Sequence, residues 1–143
     1  MASHSLADCH RPLAETFMAL REAYEATHPG RRLIVTCTHR SAEEQFALFK
    51  VGRAQRPDGS WVVAHRGAIV TQIDGQTKTS MHNHSPALAI DFAVTINGKV
   101  VWDEREYDAV GELAAGFPGL AWGGLWSPWK DRPHLEWHAP PDD

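Results

Sequence analysis

Residues 87–94 constrain the fold of this chain more than any other segment, because they form an apolar run with one carboxylate, Asp91, in its second half. Their sequence, ALAIDFAV, predicts a buried strand, and the Asn-Gly pair at 97–98 predicts a hairpin turn into a second strand. Burying an aspartate between Ile90 and Phe92 is costly unless its carboxylate is paired or coordinates a cation. The segment therefore predicts a β-sheet that carries a polar site.

Hydrophobic periodicity and capping signals predict three helices. Residues 12–28 carry an amphipathic helical pattern, and Ser41 with Glu44 predicts a capping box at the start of a second helix. Asp103 with Glu106 predicts the start of a third helix in the same way. Helices are thus expected on both sides of the buried strand along the chain.

Weaker signals complete the predicted fold. Residues 32–38 predict a buried strand, residues 53–79 predict loops with short strands, and the segments LAWGG and PHLEW predict a last strand pair. Helices segregated from hairpin-connected strands indicate an α+β fold, with helices packed on a small antiparallel sheet. The length of 143 residues fits one domain that comprises residues 1–143.

Composition excludes several classes of protein. A net charge of −4 and a pI near 6.1 argue against binding to nucleic acid or to anionic lipid. No apolar run approaches the roughly 20 residues of a membrane helix, and the N-terminal sequence lacks the pattern of a signal peptide. Cys9 and Cys37 are too few for a disulfide framework or a thiolate zinc site, so reduced thiols are expected.

Two histidine-bearing segments are candidates to join Asp91 in a site. His82 and His84 precede the buried strand, while His134 and Glu136 lie on one side of a short strand near the C-terminus. Two imidazole nitrogens and one carboxylate oxygen form a three-ligand zinc set that leaves a fourth position open, as catalytic sites do. No role in the site is assigned to the other histidines, which are His4, His10, His28, His39, His65 and His138.

Two further residues carry chemistry that a hydrolytic site needs. Asp131 precedes His134 closely enough to point into the same cleft and move a proton. Arg40, at a predicted strand-to-helix junction, could stabilise an oxyanion or hold a substrate carboxylate. Asp131 also fits a turn, however, and Glu136 fits a solvated strand charge. Residue types and spacing alone leave both alternatives open.

A series of motifs follows in order along the chain. They are Arg-Ser-x-x-x-Gln at 40–45, Leu-Phe-x-x-Gly-Arg at 48–53, Ser-x-His-Asn at 80–83, Ala-x-Asp-Phe at 89–92, Ile-Asn-Gly-Lys at 96–99, Trp-Asp at 102–103, Trp-Gly-Gly-x-Trp at 122–126 and Asp-x-Pro-His-x-Glu at 131–136. The ordered set resembles the zinc peptidases of the D-alanyl-D-alanine carboxypeptidase and hedgehog-like superfamily. It is most similar to the bacteriophage endolysins that act as L-alanyl-D-glutamate peptidases.

This resemblance implies a role for each residue that matches the motifs. The implied zinc ligands are His82, Asp91 and His134, the catalytic acid/base is Asp131, the residue assisting with substrate or transition-state charge is Arg40, and the residue orienting a ligand histidine is Glu136. Residues expected to support the site or to contact substrate are Ser80, Trp122 and Trp126, with Trp129 as a further cleft wall. For Trp122, packing inside the fold is an equal alternative.

The chain departs from the family pattern in two places. In the family, a fixed number of residues separates the first histidine ligand from the aspartate, and this number counted back from Asp91 reaches His84. The Ser-x-His-Asn motif instead selects His82, which we favour. This choice implies an insertion after His82 and places Ala87 where the family has a glycine. Leu125 stands where many relatives have aspartate. The second departure is expected to alter the wall of the cleft and to leave the metal site unchanged.

The resemblance implies a zinc peptidase that cleaves a stem peptide of bacterial peptidoglycan, at the L-Ala–D-Glu bond, and so lyses the cell wall. The alternatives are a D,D-carboxypeptidase or D-Ala-D-Ala dipeptidase with the same site, and a zinc-containing binding module without activity. We expect a monomer with peptidoglycan as its partner and no separate wall-binding domain. Without a signal peptide, we expect storage in a host cytoplasm until release to the wall.

Overall fold

The computed structural model describes residues 2–140 and shows three α-helices and seven strands in that part of the chain. In chain order these elements are α1 (Arg11–Thr27), β1 (Arg31–Cys37), α2 (Ala42–Lys50), β2 (Arg53–Gln55), β3 (Trp61–Val63), β4 (Ala89–Ile96), β5 (Lys99–Val101), α3 (Glu104–Ala114), β6 (Leu120–Trp122) and β7 (His134–Trp137). Short 3₁₀ turns lie at Leu6–Asp8, Arg66–Ala68, Met81–Asn83 and Gly123–Leu125. Among the described residues, no helix has the length and apolar character needed to cross a membrane.

The main sheet is antiparallel and is centred on β4. Its strand order is β1-β4-β7-β6, and β5 pairs with β4 beyond the end of β7. β2 and β3 form a separate two-stranded hairpin. This arrangement confirms the predicted α+β fold and makes the strand that carries Asp91 the one with most neighbours.

One face of the sheet forms the hydrophobic core with α1 and α3. From β4, the side chains of Ile90, Phe92 and Val94 enter the core, where they meet Phe17 of α1 and Val110 of α3. All five are fully buried, and each such side chain stabilises the fold by roughly 1.5–3 kcal/mol. Successive side chains of a strand point to opposite faces. The face of β4 opposite the core therefore carries Asp91.

The capping predictions are confirmed at one helix and corrected in part at another. Ser41 and Glu44 form the predicted capping box at the start of α2. At α3, Asp103 caps the helix by accepting a hydrogen bond from the backbone N–H of Arg105. Glu106 makes no capping box, because its carboxylate is bound by the guanidinium of Arg31 at 2.7 Å.

The segment between β3 and β4 is held to α2 by one buried glutamine. Gln45 is 1% exposed, and its amide nitrogen donates to the hydroxyl of Thr71 and the carbonyl of Ile73. Gly75 has a φ of +77°, and a Cβ there would lie 2.8 Å from the Cβ of Gln45. Gly75 therefore allows the segment to approach α2 closely, and no larger residue would fit without displacement.

Candidate active site

Three polar side chains form a row across β1, β4 and β7, on the face opposite the core. The strand register pairs Cys37 with Asp91 and Asp91 with His134. Directly paired residues share one face of a sheet, so the row follows from the register. A shift in the β1–β4 pairing between Val35 and Cys37 brings the thiol to this position. Asp91 thus lies between a cysteine and a histidine.

The Ser-x-His-Asn motif forms a tight turn against the end of β1. The hydroxyl of Ser80 accepts from the N–H of His82, and the side chain of Asn83 accepts from the N–H of Ser80. The side-chain amide of Asn83 also donates to the backbone carbonyl of Arg40. The backbone N–H of Arg40 in turn donates to the carbonyl of His82. Four hydrogen bonds therefore fix the backbone from which the His82 side chain projects toward Asp91.

Each imidazole uses one nitrogen to hold its ring and directs the other at Asp91. Nδ1 of His82 lies 2.6 Å from the carbonyl of Thr38, and Nε2 lies 3.1 Å from Oδ1 of Asp91. For His134, Nε2 lies 2.8 Å from Glu136 and Nδ1 lies 3.0 Å from the same Oδ1. We assign the ring protons to the anchored nitrogens, since Thr38 and Glu136 offer only acceptors. Two lone-pair donors then converge on one carboxylate oxygen.

This donor set fits a divalent cation. Nε2 of His82 is fully buried and lies close to Asp91. The angle between them does not allow a hydrogen bond, so this nitrogen has no hydrogen-bond partner. Cys37, His82 and Asp91 form one cluster of potential ligand atoms, and Asp91, Asp131 and His134 form another, each within 4.8 Å. The clusters share Asp91. Two imidazole nitrogens and a carboxylate are the donors that zinc accepts, so the chemistry of the predicted His82–Asp91–His134 set suits zinc, with Asp91 as the residue that links the two clusters.

The electrostatics of the cluster favour positive charge beside Asp91. Burial alone would raise the pKa of Asp91, but His134 and His82, when they are protonated toward the carboxylate, outweigh burial and hold that pKa far below its ordinary range. Burial alone would lower the pKa values of His82 and His134. Their contacts with Asp91 outweigh burial and raise both pKa values above the ordinary value. A metal ion at this position would displace these protons, because an imidazole binds a metal only through a deprotonated nitrogen.

Asp131 stands at the open side of the cluster. Its side chain is 49% exposed, and Oδ2 lies 3.9 Å from Nδ1 of His134. Partial loss of hydration raises its pKa, and the negative charge of Asp91 adds to this effect against the opposing positive charges. The backbone N–H of Asp131 donates to the carbonyl of Gly123 at 2.9 Å. Asp131 is therefore held beside the candidate ligands and remains accessible to substrate.

Arg40 contacts the site through Asp91. Its Nη2 lies 3.5 Å from Oδ2 of Asp91 and 3.4 Å from the thiol of Cys37, while Nη1 donates to Gln45 at 2.8 Å. The side chain is only 12% exposed. In this geometry the guanidinium holds the carboxylate oxygen that faces away from the histidines. Its predicted contact with substrate charge stays a prediction.

Glu136 joins His134 to a second histidine that sequence reasoning left without a role. One carboxylate oxygen of Glu136 binds His134, and the other lies 2.6 Å from Nε2 of the exposed His138. The spacing of His134, Glu136 and His138 could have predicted these contacts. Residues two apart in a strand share one face, so the three side chains are expected to lie next to one another. Glu136 thus contacts His134, and its role in orienting a metal ligand stays a prediction.

The two alternatives for the first histidine ligand lie in different environments. His82 is 2% exposed and contacts Asp91. His84 is exposed and lies outside both clusters of potential ligand atoms. The geometry therefore favours His82, the choice made from the motif wording.

The tryptophans near the site divide into one that supports the fold and others that face solvent. Trp122 donates from its indole nitrogen to the carbonyl of Arg132 at 2.7 Å. Its ring occupies the space where a Cβ on Gly111 or Gly124 would lie, which is the packing alternative for Trp122. The ring of Trp126, 37% exposed, lies 4.8 Å from that of His134. Trp126 thus forms part of the wall of the site.

A peptidase family is indicated by this combination of α+β fold and two-histidine, one-carboxylate cluster. Residues 74–137 match the family described as D-alanyl-D-alanine carboxypeptidase. The chain is also 36% identical to the peptidoglycan L-alanyl-D-glutamate endopeptidase CwlK of Bacillus subtilis (strain 168), over 140 residues that cover 90% of this chain and 73% of CwlK. The chain therefore belongs to the D-alanyl-D-alanine carboxypeptidase family of peptidases.

A solved structure supports the same fold. The chain is similar to the crystal structure of the L-Ala D-Glu endopeptidase ChiX of Serratia marcescens, with a TM-score of 0.61 and 22% identity. The match covers 96% of this chain and 89% of ChiX. At this level of identity the similarity concerns the fold, which agrees with the predicted D,D-peptidase-like architecture.

Proposed function

We propose that this protein is a zinc-dependent peptidase that hydrolyses the L-Ala–D-Glu bond in the stem peptides of bacterial peptidoglycan. The observation that carries the proposal is the convergence of Nε2 of His82 and Nδ1 of His134 on one oxygen of Asp91, with Asp131 beside them. The choice of bond is supported by CwlK, which is a peptidoglycan L-alanyl-D-glutamate endopeptidase.

His82, Asp91 and His134 would hold the metal. When bound, zinc supplies Lewis acidity toward a peptide carbonyl and lowers the pKa of water. The chain itself provides the positioning: Thr38 and Glu136 fix the imidazole rings through the nitrogens that face away from Asp91. Such supporting contacts are worth about 10–100-fold in metal affinity or activity.

Asp131 is the residue assigned to move the proton. It is half-exposed and close to His134, so a substrate in the site can reach its carboxylate. A general base takes a proton from the attacking water, and the same group then protonates the leaving amine of D-Glu. Arg40 keeps Asp91 in place through its ion pair. We also assign to its guanidinium the role of stabilising the negative charge that develops on the substrate carbonyl oxygen.

A D,D-peptidase is the alternative, because the matched family is described by that activity. Digestion of purified sacculi, with and without a chelator, tests both proposals. Mass spectrometry should show fragments that begin at D-Glu, formed only without chelator. Loss of terminal D-Ala alone would assign the D,D activity, and unchanged sacculi with fully metallated protein would contradict peptidase function.

A further inference from the structure

An exposed apolar surface lies beside the candidate active site. Leu125, Trp126 and Trp129 are 75%, 37% and 57% exposed, and all three belong to residues 123–131, here named the tryptophan loop. Large exposed aromatic side chains grouped in one short segment are uncommon on a surface without a partner. The exposed side chains of this segment are therefore suited to bind a ligand with apolar faces.

The tryptophan loop is held in place from within. The N–H groups of Trp126 and Asp131 both donate to the carbonyl of Gly123, and Nζ of Lys130 donates to the carbonyl of Gly124. The indole of Trp122 fills the space beneath Gly124. Because these contacts close the loop on itself, its exposed rings are presented in a defined orientation, which lowers the entropy cost of binding.

The loop is continuous with the candidate active site at two points. The ring of Trp126 lies 4.8 Å from the ring of His134. Asp131, at the end of the loop, lies 3.9 Å from the same imidazole. Trp129 lies between these two residues in the chain and is exposed. A substrate with its reacting bond at His134 would therefore place a neighbouring group close to the tryptophan loop.

The chemistry of the proposed substrate identifies that neighbouring group. In peptidoglycan, L-Ala is joined through an amide to the lactyl group of N-acetylmuramic acid. One alanine and one lactyl group separate the L-Ala–D-Glu bond from the sugar, a span of about 7 Å at the reach of an extended chain. A sugar ring has apolar C–H faces and polar edges, and an indole offers a flat apolar surface with one N–H donor.

We propose that Trp126 and Trp129 form a binding subsite for the N-acetylmuramic acid ring that carries the stem peptide. The proposal rests on the proposed function, since it takes the L-Ala–D-Glu bond as the one cleaved. A sugar is favoured over an anionic membrane because the chain has a net charge of −4. The subsite gives the enzyme a preference for stem peptides still attached to the glycan strand.

The test compares two substrates with the same stem peptide, one a disaccharide muropeptide and the other the sugar-free peptide. We expect the wild-type protein to have a higher kcat/KM on the muropeptide, and Trp129→Ala to reduce that preference about tenfold. Trp102→Ala is the matched control: Trp102 is 64% exposed and stacks on Tyr107 in the helix-covered part of the fold. The control variant should keep the wild-type preference.

Each other outcome has a distinct meaning. Equal kcat/KM values for the two substrates in the wild-type protein, or an equal loss on both in Trp129→Ala, would overturn the sugar subsite. Failure of the wild-type protein to cut L-Ala–D-Glu in either substrate would overturn the proposed function itself. If Trp129→Ala instead abolishes self-association or binding to liposomes of anionic lipid, the loop serves a second copy or a membrane, and the sugar subsite is wrong.

Discussion

Nδ1 of His134 lies 3.0 Å from Oδ1 of Asp91, the residue directly opposite it in the antiparallel pair of β4 and β7. Two candidate ligands are thereby positioned by the backbone hydrogen bonds between β4 and β7. The third candidate ligand, His82, lies outside the sheet, and its turn is held at the end of β1 by hydrogen bonds. Supporting contacts of this kind hold side chains in position, which lowers the cost of binding a metal.

Zinc binding should depend on His82 and tolerate the loss of His84. His82→Ala removes a buried donor that faces Asp91, so we expect loss of the bound metal and of the rise in Tm that zinc gives the wild-type protein. His84→Ala is the matched control, since His84 is exposed. Metal content by elemental analysis and thermal unfolding measure both variants. Loss of metal in His84→Ala with retention in His82→Ala would reverse the assignment.

Asp131→Asn should separate chemistry from metal binding. The amide keeps the shape of the side chain and removes the group that takes the proton, so we expect kcat to fall by about 10²–10⁴. Zinc content should remain at the wild-type level, because the predicted ligands are His82, Asp91 and His134. Kinetics on a stem peptide and metal analysis on the same preparation test this. Unchanged kcat would remove Asp131 from the mechanism.

Gln45 should contribute to stability through its buried amide. Gln45→Leu keeps the approximate volume but leaves the carbonyl of Ile73 and Nη1 of Arg40 without their partner. Each unsatisfied buried polar group costs about 1–3 kcal/mol, so the midpoint of urea unfolding should fall. Gln76→Leu is the control, because Gln76 is exposed. Equal midpoints for the two variants would show that the Gln45 contacts carry no stability.

Local sequence patterns predicted the strands and the ligand types because both depend on nearby residues. The apolar run 87–94 predicted the strand that carries Asp91, and the i, i+2 spacing placed Glu136 beside His134. Asp91 and His134 lie on neighbouring strands, and the register of β4 with β7 brings them together. The choice of His82 came from the Ser-x-His-Asn motif. The structure shows this motif as a turn capped by Ser80, and the role of His82 as a metal ligand stays a prediction.

Contacts between distant segments could not be predicted. Cys37 reaches the site only because the β1–β4 register shifts beside it, and no local pattern reports that shift. Glu106 was expected to cap its own helix, yet it binds Arg31 across 75 residues. The packing of Trp122 likewise depends on the absence of a side chain at Gly111, which lies on α3. Storage in a host cytoplasm and the monomeric state stay predictions.

The Arg31–Glu106 pair should make stability depend on pH. The hydrogen bond from Arg31 lowers the pKa of Glu106 below its ordinary value of 4.5. Since the folded state then binds the proton less tightly than the unfolded state, the pair stabilises the fold above about pH 4.5 and loses its effect as the pH falls through the lowered value. Glu106→Gln should therefore reduce the unfolding midpoint at pH 7 and reduce it less at pH 3. Glu112→Gln, at an exposed position of the same helix, is the control. A difference between Glu106→Gln and wild type that is the same at both pH values would assign the loss to packing, and the charge pair would then contribute nothing.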